Sequence, residues 1–133
     1  MRLLLDTHAL LWWLLGDPRL APPARAAIAD EESVVHVSAA TAWEIATKTR
    51  IGKLPGAEAL AQNLTEVVEA NGFRSLPISL EHGQRAGSLP GPHKDPFDRM
   101  LVAQAQAENL VLVSNEEIFD QYGVERLWDG RGA

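Results

Sequence analysis

Residues 2–15 read Arg2-Leu3-Leu4-Leu5-Asp6-Thr7-His8-Ala9-Leu10-Leu11-Trp12-Trp13-Leu14-Leu15, and the change of pattern inside this stretch decides the fold. Arg2 to Leu5 is a short apolar run ending at Asp6, the mark of a buried strand. From His8 to Leu15 the apolar residues follow a helical pattern, which Gly16-Asp17-Pro18 stops.

The alternation continues along the chain. Pro22-Pro23 opens a helix through Ala29, because proline is tolerated in the first helical turn. Val34 to Val37 predicts a strand, and Ser38 an N-cap for a helix from Ala39 to about Arg50, ended by Gly52. Ala57 to Ala70 predicts another helix, closed by Asn71-Gly72. Phe73 to Ile78 is a weaker strand, interrupted by Pro77. Glu81 to Gly87 reads as a short helix, and Leu89 to Pro96, with three prolines and a glycine, as a loop. Asp95-Pro96 then suits an N-cap and first helical position for a helix running to Glu108. Leu110 to Val113 is a strand, Ser114 caps a short helix through Gln121, and Val124 to Trp128 is a last short strand. Strands alternating with helices predict an α/β fold with a parallel sheet covered on both faces. The 133 residues fit a single domain, with no internal repeat or low-complexity tract.

The composition, 46% hydrophobic and 23% charged, is that of an ordinary globular protein. With no cysteine, disulfides and thiolate metal sites are excluded. The apolar start meets Asp6 and His8 too soon for a signal peptide or membrane span, so a cytoplasmic protein without a membrane partner is expected. A net charge of −6 argues against tight non-specific nucleic-acid binding. It serves solubility, or reflects carboxylates converging on one site that needs a divalent cation.

Open parallel sheets carry functional residues at the carboxyl ends of their strands. Asp6 directly follows the first strand. Ser38 and the start of the Glu44 helix follow the second, and Ser114, Asn115, Glu116 and Glu117 follow a later one. Three segments thereby deliver polar groups to one edge of the sheet. Each acid also has a local explanation. Asp6 with Thr7 suits a helix cap. Glu44, among Ala39, Ala40, Ala42, Trp43, Ile45 and Ala46, is costly to bury unless paired or metal-bound, and Lys48 one turn later offers an ion pair. Asp98 falls in a first turn, where negative charge suits the helix dipole. Ser114 and Glu117 form an S-x-x-E capping box, which leaves Glu116 without a local task and makes it the better candidate for chemistry.

His8, His36, His82 and His93 lack the spacing of a zinc motif. His36 reads as a satisfied strand residue. His93 and Lys94 sit in a loop suited either to solvent or to phosphate, and Arg99 suits either phosphate or an acid. Trp43, with Leu11, Trp12 and Leu15, reads as core or interface. A haloacid-dehalogenase-like phosphatase would want an acid two residues after Asp6, where His8 stands. A receiver domain would want its phosphoacceptor after a central strand, and Asp6 follows the first.

Four segments together resemble the PIN-domain family, and within it the VapC-type toxins of bacterial toxin–antitoxin pairs. They are Leu3-Leu4-Leu5-Asp6-Thr7-His8, Val37-Ser38-Ala39-Ala40-Thr41-Ala42-Trp43-Glu44-Ile45, Asp95-Pro96-Phe97-Asp98-Arg99-Met100-Leu101, and Leu112-Val113-Ser114-Asn115-Glu116. Their order and spacing span nearly the whole chain. The resemblance implies a three-layer α/β/α sandwich and magnesium- or manganese-dependent cleavage of RNA. The family's four acids fall on Asp6, Glu44, Asp98 and Glu116. The fourth is usually an aspartate, and the extra methylene of Glu116 extends its reach by over ~1 Å. Asp6 and Asp98 are the expected metal ligands, with Glu44 and Glu116 holding outer waters or a second ion. Asn115 and Arg99 are the expected substrate contacts. A cognate VapB-type antitoxin that covers the site, and a homodimer, are also implied, with Trp12, Trp13 and Trp128 as candidate interface residues. The rival reading is a PIN-like protein that binds antitoxin or RNA but cuts little.

Overall fold

Leu3, Leu4 and Leu5 are fully buried, which requires both faces of their strand to be covered. This strand is β1 (Arg2–Leu5), followed in chain order by β2 (Val34–Ser38), β3 (Arg74–Leu76), β4 (Val111–Val113) and β5 (Arg126–Leu127). The computed structural model describes residues 1–130. Residues 131–133, the end of the expected single domain, lie outside the described residues. The strands form one sheet of order β3-β2-β1-β4-β5, parallel throughout rather than mostly parallel. Register places Leu4 beside His36 and Leu112, and Leu5 beside Val37 and Val113.

Side chains alternate across a strand, so one apolar run feeds two cores. Leu3, Leu5, Val35 and Val37 pack on one face with Leu10, Trp12, Ile28, Ile45 and Val68. These come from α1 (Thr7–Leu15), α2 (Pro22–Ala29), α3 (Ala39–Arg50) and α4 (Glu58–Ala70). On the other face Leu4 and Leu112 meet Leu101, Val102, Ala105, Phe119 and Tyr122, from α6 (Pro96–Glu108) and a 3₁₀ helix (Glu117–Tyr122). The short α5 (Leu80–Ser88) packs beside α6. Each fully buried leucine contributes on the order of 2 kcal/mol of transfer free energy. The result is the three-layer α/β/α arrangement.

Several elements depart from expectation for local reasons. β3 stops at Leu76 because Pro77 has no N–H to offer the sheet. The last strand is two residues long rather than five. The capping box after β4 does not form. The Ser114 hydroxyl accepts from the Glu116 amide (3.0 Å) two residues on, and this tight turn feeds a 3₁₀ helix with Glu116 at its cap position and no side-chain cap bond. Of the tryptophans expected at interfaces, Trp12 is buried and Trp13 and Trp128 pack partly against the same core. The exposed tryptophan is Trp43, at 62%. Among the described residues no helix is long and apolar enough to cross a membrane.

The chain runs from β1 outward through β2 to β3, then returns to β4 on the other side of β1. Reversals of this kind open a crevice at the carboxyl ends of the strands. There the Asp6 amide donates to the Val113 carbonyl (3.1 Å), joining the ends of β1 and β4.

Candidate active site

Asp6 is only 2% exposed. Its Oδ1 accepts from the Ala9 amide (2.8 Å), so it does cap α1, and the Ser114 hydroxyl bonds to the same carboxylate. Capping does not exhaust it. Burial pushes its carboxyl up to about 6, against the pull of Ser114 and Ala9, and the Glu116 charge adds to the rise. Asp98, in the first turn of α6, is pushed further, to about 7, by burial and then by the charges of Asp95 and Glu116. His93 Nε2 lies 2.7 Å from Asp98 Oδ2 and partly offsets this. Glu116 is therefore felt by both aspartates, although more than ninety residues of chain separate it from Asp6.

Glu44, 5% exposed on α3, is held differently. Oε1 accepts from the Thr7 hydroxyl and Oε2 from the Lys48 ammonium. Both local readings of Glu44 thus describe parts of one arrangement, a buried carboxylate with an ion pair. Both oxygens of Glu44 thus already have a donor within the chain. Lys48 is held above its ordinary range chiefly by Glu44, with Asp95 and Asp98 adding to it.

The Asp95 side chain accepts from the Phe97 and Asp98 amides (2.8 and 3.3 Å), so α6 starts where its sequence predicts and aims Asp98 at the crevice. The loop before it is fixed by residues that the sequence did not single out for this task. The His93 amide donates to the Tyr122 hydroxyl (2.9 Å). Gly91, at φ +109°, lies so close that a Cβ there would come within 2.8 Å of the Tyr122 ring. The signal available was a glycine between two prolines, seven residues before Asp98, the first acid of α6.

Arg99, expected at the substrate, is held by the chain itself. Its guanidinium donates to the carbonyls of Ala86 (3.3 Å), His93 (2.9 Å) and Leu89. These bonds tie the loop to the end of α5 and engage all three guanidinium nitrogens. His93, weighed for phosphate, is engaged with Asp98. Ser38 also leaves the site: its hydroxyl accepts from the Ala40 amide (2.9 Å) and donates to Gln104. Asn115 is exposed beside Glu116.

The structure thus sets Glu116 within electrostatic reach of both Asp6 and Asp98, while Glu44 is held by Thr7 and Lys48. All four offer carboxylate oxygens, the donors a hard divalent cation prefers. Burial is the first cause of both raised aspartates, and the Glu116 charge adds to each. Among the described residues no three such side chains already close into a cage.

The model of the PIN domain family matches residues 3–125. The chain belongs to the PIN domain family. Ribonuclease VapC16 of Mycobacterium tuberculosis is 38% identical over 73 residues, a match covering 52% of this chain and 50% of that one. The chain thus spans half the length of that curated relative. Solved PIN-like structures superpose more completely. VapBC2 from Rickettsia felis, bound to a DNA fragment from their promoter, gives a TM-score of 0.71 at 17% identity, covering 97% of this chain and 100% of that one. FitAcB from Neisseria gonorrhoeae gives 0.65 at 19% identity and 96% of each. At these identities the likeness is one of fold.

Proposed function

We propose that this PIN domain is a metal-dependent endoribonuclease acting as the toxin of a toxin–antitoxin pair. The observation that carries the reading is a pair of buried aspartates, Asp6 and Asp98, each raised first by burial and then further by the charge of Glu116 at the strand ends. The match to a ribonuclease of the VapC group supports it. Magnesium or manganese, when bound, supplies Lewis acidity to water and to the phosphoryl oxygens. Asp6 and Asp98 are the residues that would hold it. Glu116 orders water at the rim of the crevice, and exposed Asn115 beside it offers the substrate a polar contact. His93 keeps Asp98 oriented and is placed to move a proton at Oδ2. Glu44, through Thr7, ties the start of α1 to α3 and so fixes the helix that Asp6 caps.

The acidic surface, with a net charge of −6, suits a basic partner, and the reading includes a VapB-type antitoxin that covers the acids. The partners VapB and VapC occur together in the structural neighbours from Rickettsia felis and Haemophilus influenzae. Homodimerisation and a cytoplasmic location complete the proposal, with Trp43 and Leu80 as exposed apolar groups for an interface.

The test compares wild type with Asp6→Asn for magnesium-dependent cleavage of RNA and for growth arrest on expression. Wild type should cleave and arrest growth. The variant, which keeps a capping oxygen, should fold and do neither. Equal behaviour in both assays overturns the nuclease reading, and RNA binding without cleavage by wild type would favour a binding module instead.

A further inference from the structure

Lys48 stands in an unusual place for the cation of a helical i,i+4 pair. Such pairs are ordinarily exposed and weak. Here the carboxylate partner is buried, and the ammonium is also within electrostatic reach of Asp95 and Asp98 across the crevice. The two oxygens of Glu44 are both engaged, one by the Thr7 hydroxyl and one by Lys48. For Glu44 to bind a divalent ion, that ion would have to displace the ammonium or settle against its positive charge. Asp6 and Glu116 have no cationic partner among the ion pairs of the described residues, and Asp98 has only the His93 imidazole.

We propose that Lys48 takes the place of a second metal ion, so that the acidic site binds one divalent cation through Asp6 and Asp98 while Glu44 serves as the counter-ion of Lys48. Glu44 is thereby a positioning residue, and the charge a second ion would bring is carried by Lys48. This inference rests on the metal-dependent reading above and adds a stoichiometry to it.

The test counts bound manganese on the full-length folded protein at neutral pH, by electron paramagnetic resonance and by calorimetric titration, without substrate. Wild type should bind one ion. Lys48→Met frees the Glu44 carboxylate, and the count should double to two. The double variant Glu44→Gln/Lys48→Met should return to one, and Lys48→Arg, which keeps the charge, should stay at one. Two ions in wild type overturn the inference and leave the metal reading standing. A single ion of unchanged affinity in folded Lys48→Met also overturns it. No ion bound by wild type removes the metal reading itself, and the inference with it. Should Lys48→Met fail to fold, Lys48→Gln takes its place with the same two outcomes.

Discussion

Removing the charge of Asp98 should make the metal-free protein more stable while abolishing its response to magnesium. The folded-state carboxyl of Asp98 lies at about 7 and that of Asp6 at about 6, against 3.8 for an ordinary aspartate. Between those limits the folded protein holds protons that the unfolded chain has released. Stability therefore falls as pH rises through this window, being greatest below 3.8 and lost by about 7. At ~1.4 kcal/mol per pH unit, the loss is roughly 4 kcal/mol for Asp98 and roughly 3 kcal/mol for Asp6. Both feel the same Glu116 charge, so the two do not add, and a combined loss on the order of 4 kcal/mol is expected. For a domain of this size that is roughly 15 °C in Tm. The assay is thermal melting in EDTA across this window, for wild type and Asp98→Asn. The asparagine can still accept from His93, and the variant should melt higher than wild type at about pH 8 but level with it at about pH 4. Saturating magnesium should raise wild type by ~3 kcal/mol at a hundredfold excess over Kd and leave Asp98→Asn unmoved. An Asp98→Asn variant that melts below wild type at alkaline pH would show that Asp98 is a satisfied structural acid.

Four further outcomes are expected. Asp6→Asn and Asp6→Ala should both lose RNA cleavage, but urea denaturation should find the alanine variant less stable than the asparagine one by ~1 kcal/mol, the value of the α1 cap. Glu116→Asp should keep magnesium-dependent cleavage within about tenfold of wild type, ~1.4 kcal/mol of barrier, because only one methylene is lost; a complete loss would mean that the longer reach is required. Gly91→Ala should destabilise by ~2 kcal/mol in denaturant melts, since a Cβ there meets the Tyr122 ring and the positive φ is strained. Arg99→Met should lower stability by ~2 kcal/mol through three orphaned carbonyls. A raised KM for RNA with unchanged stability would instead restore Arg99 to phosphate binding.

How much of this was legible in the sequence depends on how far each interaction reaches. β1 and its helix were readable because three consecutive leucines and an adjacent Asp-Thr state their structure within a few residues. α6 was readable for the same reason, its Asp95-Pro96 start being a local cap. What was not legible depends on contacts of longer reach. Lys48, one turn on, was readable as the ion-pair partner of Glu44, but its other donor, Thr7, lies 37 residues away. Arg99 spends its guanidinium on carbonyls of a loop whose path no local rule supplies. Even the capping box failed by competition. Ser114 has the right spacing to Glu117, yet its hydroxyl closes on the Glu116 amide first and bonds the Asp6 carboxylate as well. That last contact joins a strand end to an acid more than a hundred residues earlier, and it bears on the question the sequence left open at Asp6. A cap and a metal ligand looked like alternatives because a helix start needs an acceptor and a metal needs a donor. A carboxylate has two oxygens, and the Ala9 amide bonds only Oδ1. The cap therefore orients the group, and burial with Glu116 at hand supplies the electrostatic demand for a cation.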